Sequence, residues 1–208
     1  MKADFNDKQI QILQVAETLF AEKGFDGTSV RDIAKEAKIN VAMVSYYFGS
    51  KEQLLESLVL HRASNVKLQL DQLILEDLNP LEKINKLIGM YITTINGNRC
   101  IYKILHFEFS SNKRGINLKA FTDLKMANLK SMKSIISEGQ EKGMFQKNIN
   151  IPLLIPSILG PYFHFHLNRP FYENLFQLDT EEKYDNYIKT TLTMHIQQTI
   201  KALLTHES

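Results

Sequence analysis

Apolar residues recur at three- and four-residue spacing almost from end to end of this chain, which predicts helices throughout. The first helix is expected from about Asn6 to Lys23, with Ile12, Ala16, Leu19 and Phe20 facing inward and Gly24 as its C-cap. Val30, Ile33, Ala34 and Ala37 then share one face of a short second helix. Thr28 or Ser29 caps it, with Asp32 three residues after Ser29 as capping-box partner. Asn40 is a good N-cap for a third helix from Val41 to about Tyr47, on which Val41, Val44 and Phe48 share the side that packs backward. Ser50 and Gln53 form a capping box for a fourth helix, which can run through Leu54, Leu55, Leu58, Val66, Leu70 and Leu73 toward Glu76. At 1.5 Å per residue such a helix is about 40 Å long, enough to join two domains.

The remainder continues the pattern. Asn79-Pro80-Leu81-Glu82 starts a helix bearing Leu81, Ile84, Ile88, Tyr91, Ile92 and Ile95 as one stripe. A short helix around Cys100 to Phe109 and a longer one from about Leu118 to Lys142 follow, with turns at Asn96–Asn98, Asn112–Gly115 and Gly143–Asn150. Lys119, Lys125, Lys130, Lys133 and Lys142 make the longer helix basic, as a solvated face would be. Pro152 to Leu167 is apolar and aromatic, with a kink expected at Gly160-Pro161. Asp179 and Glu182 are placed as a capping box for the last helix, along which Tyr184, Tyr187, Ile188, Leu192, His195 and Thr199 share a face. The fold class is therefore all-α, with a three-helix helix-turn-helix domain over residues 1–50 and a C-terminal helical bundle over 51–208, joined by the helix from about 50 to 76.

Composition changes this picture little. The chain has 208 residues, 44% hydrophobic and 23% charged, which is ordinary for a globular protein with a substantial core. One cysteine, Cys100, allows no intrachain disulfide, and MKADFNDKQIQ lacks the apolar run of a secretory leader. The longest apolar stretch, Ile151 to Phe163, is thirteen residues interrupted by three prolines, too short for a membrane span. A cytoplasmic protein is expected.

The charge distribution points to a polyanion only locally. Residues 1–60 hold seven Lys and Arg against nine Asp and Glu, so bulk charge does not favour nucleic acid. From Ala37 to Lys51, however, the only charges are Lys38 and Lys51. The outward face of the third helix carries Ala42, Met43, Ser45 and Tyr46, with no carboxylate to repel phosphate. Lys51 sits at the first position of the fourth helix, where a cation opposes the helix dipole unless an anion is bound there. Two short helices and a tight turn ahead of it are the arrangement that inserts a helix into the major groove.

The segments ILQVAETLFAEKGF, TSVRDIAKEAKIN and YYFGSKEQLL stand in the order and spacing of the TetR family of transcriptional regulators, which the chain resembles over about Ile12 to Leu55. The resemblance implies an all-helical homodimer, paired through the last two long helices, that binds double-stranded operator DNA with its N-terminal heads. It also implies a C-terminal domain holding a small-molecule effector, mostly apolar, that releases the DNA. Ala42, Met43, Tyr46 and Ser45 would then face base edges, while Thr28, Lys38, Asn40, Tyr47 and Lys51 would hold phosphates and the turn. Two departures stand out. The family's turn glycine is Lys38 here, at about 1–2 kcal/mol if that residue is left-handed. The first Tyr of its Tyr-x-Tyr-Phe pattern is Ser45.

Tyr91, Tyr102, His106, Phe107, Phe109, Tyr162, Phe163 and His164 form an aromatic set suited to an apolar ligand, although for any one of them core packing is the favoured reading. A regulator answering to a protein partner, or to no ligand, shares every N-terminal feature. A metal-dependent enzyme using His106, Glu108, His164 and His166 is disfavoured, because residues i and i+2 on a helix point about 200° apart. No catalytic motif accompanies them, and neither a cofactor nor a metal is expected.

Overall fold

The structure, a computed structural model, describes residues 5–99, 102, 104 and 119–205. Its helices are α1 (Asp7–Lys23), α2 (Val30–Glu36), α3 (Val41–Phe48), α4 (Lys51–Leu75), α5 (Pro80–Gly97), α6 (Lys119–Glu141), α7 (Ile151–Leu167), α8 (Arg169–Phe176), α9 (Glu181–Tyr187) and α10 (Thr193–Leu204). A π-helical turn, Ile188–Leu192, joins α9 to α10, and no strand occurs among the described residues. The all-α expectation is met. The helix expected around Cys100–Phe109 and the turn at Asn112–Gly115 lie almost wholly outside the described residues.

Two compact units divide the chain: Met1–Asn65 with Asn98–Lys125, and Val66–Gly97 with Met126–Ser208. This division falls later than the boundary read at residue 50. The reason is that Leu54, Leu55, Leu58 and Val59, in the first turns of α4, are buried in the same cluster as Ile12, Phe20, Ile33, Val44 and Phe48. Each such side chain contributes about 1.5–3 kcal/mol when taken out of water.

In the first unit the caps expected from the sequence are present. Asn6 and Gln9 exchange capping-box bonds at α1, and Ser29 and Asp32 do so at α2. Those bonds from Ser29 hold the Asp32 carboxyl below its usual range. The nearly buried carboxylate of Glu17 on α1 accepts from both Nε and Nη2 of Arg62 on α4. Beside that pair, burial and the Arg62 charge push the His61 imidazole below its ordinary value.

In the second unit α5 is the central strip. Asn79 and Glu82 cap it reciprocally, and Ile84, Leu87, Ile88, Ile92 and Ile95 are buried along it. The ammonium of Lys83, 6% exposed as a residue, is neutralised by Glu138 at 3.1 Å and accepted by Ile74 O at 3.2 Å. A polar chain crosses the core from Tyr162 Oη to Asn96 Oδ1 (3.3 Å) and from Asn96 Nδ2 to Asp185 Oδ1 (3.2 Å), so no buried group on that line is stranded.

The structure corrects two readings here. The N-cap of α9 is Thr180, whose hydroxyl accepts from Lys183 N, while Asp179 pairs with the Lys183 ammonium at 2.6 Å. The π turn inserts one residue into the helical period, so the buried face passes from Tyr184 and Ile188 to Thr193, Ile196, Ile200 and Leu204. His195 and Thr199, assigned to that face from an uninterrupted 3.6 period, are exposed. In addition, α7 continues through Pro156 and Pro161, and α8 follows it as a separate short helix.

Candidate nucleic-acid interface

The turn between α2 and α3 closes on a residue of positive φ. Ile39 N donates to Ala34 O at 3.0 Å and Lys38 N to Lys35 O at 3.1 Å, the two bonds of a Schellman cap. Lys38 occupies its left-handed position with φ 53°. The glycine of the family pattern is therefore replaced without changing the turn, at about 1–2 kcal/mol of backbone strain. Gln11 Nε2 on α1 donates to Ala37 O at 3.1 Å and braces the same corner. Asn40 Oδ1 then caps α3 through Ala42 N at 2.9 Å.

At the other end of α3, Ser50 N donates to Phe48 O at 2.9 Å across Gly49, whose φ is 74° and ψ −76°. This is a γ-turn open in practice only to glycine, and a Cβ would also strike Gln53 Oε1 at 2.1 Å. Gln53 Oε1 itself accepts from Ser50 N, completing the capping box of α4. Short, fully bonded connections thus hold α3 at both ends.

What α3 presents follows from that frame. Val44 and Phe48 are buried, whereas Ala42 and Ser45 are exposed, Met43 and Tyr47 half-buried, and Tyr46 is 83% exposed. The Tyr46 and Tyr47 rings meet edge-on at 5.3 Å between centroids, which supports Tyr46 from behind. Lys38 and Asn40 are exposed at the helix start. Val41 departs from its expected inward placement and is 39% exposed. As the first helical residue it lies beyond the last packed turn, a signal that periodicity alone does not carry.

Two residues expected on phosphate turn inward. Thr28 is only 1% exposed, and its hydroxyl donates to Leu19 O (3.1 Å) and Gly24 O (2.9 Å), so its side chain pins the end of α1 instead of reaching DNA. The Lys51 ammonium donates to Phe25 O and Thr28 O, both at 2.8 Å, and lies 4.3 Å from the Phe25 ring centroid. Two of its three N–H groups are thereby committed within the protein.

Of the aromatic set, Tyr102 belongs to the first unit and Tyr91, Tyr162, Phe163 and His164 to the second. Tyr102 packs half-buried on the core of the first unit, where burial raises its phenol above the ordinary value. Tyr91 and Tyr162 are core residues of the second unit, Phe163 is half-buried edge-on to Tyr162, and His164 is exposed with Nδ1 3.1 Å from Tyr172 Oη. His106, Phe107, Glu108 and Phe109 lie outside the described residues. A shallow cleft of about 550 Å³ in the second unit is lined by none of these residues but by others, among them Gln69, Asn85, Met90, Thr93 and Gln197. Among the described residues no cluster of three His, Cys, Asp or Glu could hold a metal ion, and His166 faces Tyr184 Oη at 3.4 Å. No helix of the described residues is long and apolar enough to cross a membrane.

A short helix held at both ends, acid-free and presenting an exposed tyrosine, defines a helix-turn-helix DNA-binding protein. Comparison with known proteins agrees over the rest of the chain. Residues 12–58 match the family described as bacterial regulatory proteins, tetR family, and residues 80–196 match the tetracyclin repressor-like C-terminal domain. The chain belongs to the TetR family of transcriptional regulators, which are not enzymes. It is 28% identical over 181 residues to the HTH-type transcriptional repressor NicS of Pseudomonas putida, spanning 83% of this chain and 82% of that one. The probable HTH-type regulator YttP of Bacillus subtilis is 54% identical over 59 residues, 28% of this chain and 27% of that one. The fold of this chain is shared by the regulator FadR of Bacillus subtilis, solved with stearoyl-CoA, at a TM-score of 0.75 and 18% identity over 93% of this chain and 97% of that one.

Proposed function

We propose that the protein is a transcriptional repressor that binds a pseudo-palindromic operator as a homodimer and is released by a small, mostly apolar effector. The observation that carries the DNA part is the α3 surface: Tyr46 83% exposed on a face without carboxylates. Two such helices related by a two-fold axis enter successive major grooves about 34–36 Å apart. Ala42, Met43, Ser45 and Tyr46 read base edges, with Val41, Ala42 and Met43 suited to thymine methyl groups. Lys38, Asn40 and Tyr47 hold phosphates and set the register. Repression is supported by the likeness to NicS. Effector binding in the C-terminal unit would favour a head spacing that no longer fits the operator, and the cytoplasm is where such a regulator acts.

The test is fluorescence anisotropy with the DNA upstream of the protein's own gene, across a salt series, against the same DNA with a scrambled site. Tight, salt-sensitive binding at two protomers per site is expected, and Tyr46→Ala should change which operators are preferred. Binding indifferent to sequence would refute the reading. Stearoyl-CoA is the first effector probe; unchanged DNA binding across it and other apolar acids would instead favour control by a protein partner.

A further inference from the structure

The cleft of about 550 Å³ in the second unit is built by three helices. Gln69 of α4 stands on one side, Gln197 of α10 on another, and Asn85, Gly89, Met90 and Thr93 of α5 lie between them. Its size falls within the ~300–1,000 Å³ of small-molecule sites. The cleft shares no residue with the aromatic set or with α3.

Its lining has a narrow chemistry. The one charged side chain on it is Lys86, whose ammonium is held by both carboxylate oxygens of Glu76, at 2.7 and 2.6 Å. Among the described residues no carboxylate and no aromatic ring lines the cleft. Gln197 Nε2 donates to Asn85 O at 3.0 Å, which ties α10 to α5 and leaves Gln197 Oε1 as an acceptor in a fixed place. The side-chain amides of Gln69 and Asn85 and the hydroxyl of Thr93 are not engaged by the described residues. Half-buried Met90 adds an apolar patch. At Gly89 a Cβ would meet no atom within 4 Å, so any other side chain there would stand in the cleft. Glycine inside a helix costs about 0.5–1 kcal/mol relative to alanine, and no contact within the protomer calls for it. What it preserves is the space over its own backbone.

We infer that this cleft binds a neutral, multiply hydroxylated molecule of sugar size. Hydroxyl groups both donate and accept, and so do the amides of Gln69 and Asn85 and the hydroxyl of Thr93, so one face of a polyol can satisfy them together with Gln197 Oε1. An anion would have to compete with Glu76 for Lys86, and a cation finds no free carboxylate on the lining. A flat aromatic ligand finds no ring to stack on. The inference goes beyond the operator and the effector proposed above and stands independently of both.

Backbone-amide NMR of the full chain, titrated separately with glucose, sucrose and myo-inositol, tests this. At least one of the three should give saturable shifts at the amides of Gly89, Thr93 and Gln197, with a dissociation constant of about 1 mM or below. Gly89→Leu should abolish the saturation with the far-ultraviolet circular dichroism unchanged and the melting temperature not lowered, because its side chain meets no atom of the protomer. Thr93→Val keeps the shape and removes the hydroxyl, and should weaken binding about fivefold. If Gly89→Leu disturbs the fold, Thr93→Val decides. Shifts that rise linearly with all three polyols overturn the inference, as do saturable shifts that survive Gly89→Leu in a folded chain. Saturation by glucose 6-phosphate but by none of the three overturns the neutral class. Operator affinity without polyol is measured on the same samples, so a failure of the cleft and a failure of the DNA-binding reading are told apart.

Discussion

Replacing Lys51 with methionine keeps the side-chain stem and removes only the ammonium, which separates its two conceivable roles. The structure commits that ammonium to Phe25 O and Thr28 O at 2.8 Å each and to the face of Phe25 at 4.3 Å. A hydrogen bond to a charged group contributes about 1.5–3 kcal/mol, and the lower end applies at this half-buried position. With a cation–π contribution of about 0.5 kcal/mol, the loss comes to roughly 3–4 kcal/mol. For a chain of this size each kcal/mol shifts the melting temperature by about 2–4 °C, so a fall of roughly 10 °C is expected by thermal circular dichroism. The clamp joins the segment before α2 to the start of α4, and α3 lies between them, so operator affinity should weaken. The slope of log K against log salt should not change. A lysine bound to phosphate predicts the reverse: each lost contact flattens the slope by about 0.9, or about 1.8 per dimer. A flattening of that size with an unaltered melting temperature would refute the clamp.

Lys38→Gly should relieve the strain of φ 53° and raise stability by up to about 1 kcal/mol in urea unfolding, while flattening the operator salt slope by about 0.9 per protomer as a phosphate contact is lost. His61 sets a pH dependence: burial and Arg62 lower its folded value below 6.5, so the unfolded chain binds the proton more readily. Stability of the first unit should therefore fall as pH drops through about 6.5 and recover above it, and the decline should be shallower in His61→Gln; a slope of opposite sign in urea titrations at pH 5.5 and 7.5 would contradict the burial of this ring.

Much of the DNA-binding head was legible in the linear chain because its signals are local. The capping pairs Ser29–Asp32 and Ser50–Gln53 span three residues, and the apolar face of α2 spans two turns. The family's glycine at the place of Lys38 raised a left-handed turn as one alternative, and the backbone, with φ 53°, decides for it. The aromatic set was not legible as a site. Aromatic density in sequence does not distinguish Tyr162, buried with its hydroxyl on Asn96, from His164, exposed beside Tyr172. Nor does a periodicity rule anticipate a π turn, so the face of α10 was read one residue out of step.

Sequence alone determined where the first five helices start, that the chain is all-α, and which face of α3 is free of acids, since each of these depends on neighbours within one or two helical turns. Only the tertiary structure decided that Thr28 is buried, that Val41 emerges, that α8 bares its apolar side, and that Lys51 turns inward. Thr28 and Lys51 show why. Hydroxyls and ammonium groups serve water, phosphate or carbonyl oxygen equally well, and the carbonyls that claim Lys51 stand 26 and 23 residues away along the chain. Folding brings them within reach, and no local rule ranks them ahead of solvent.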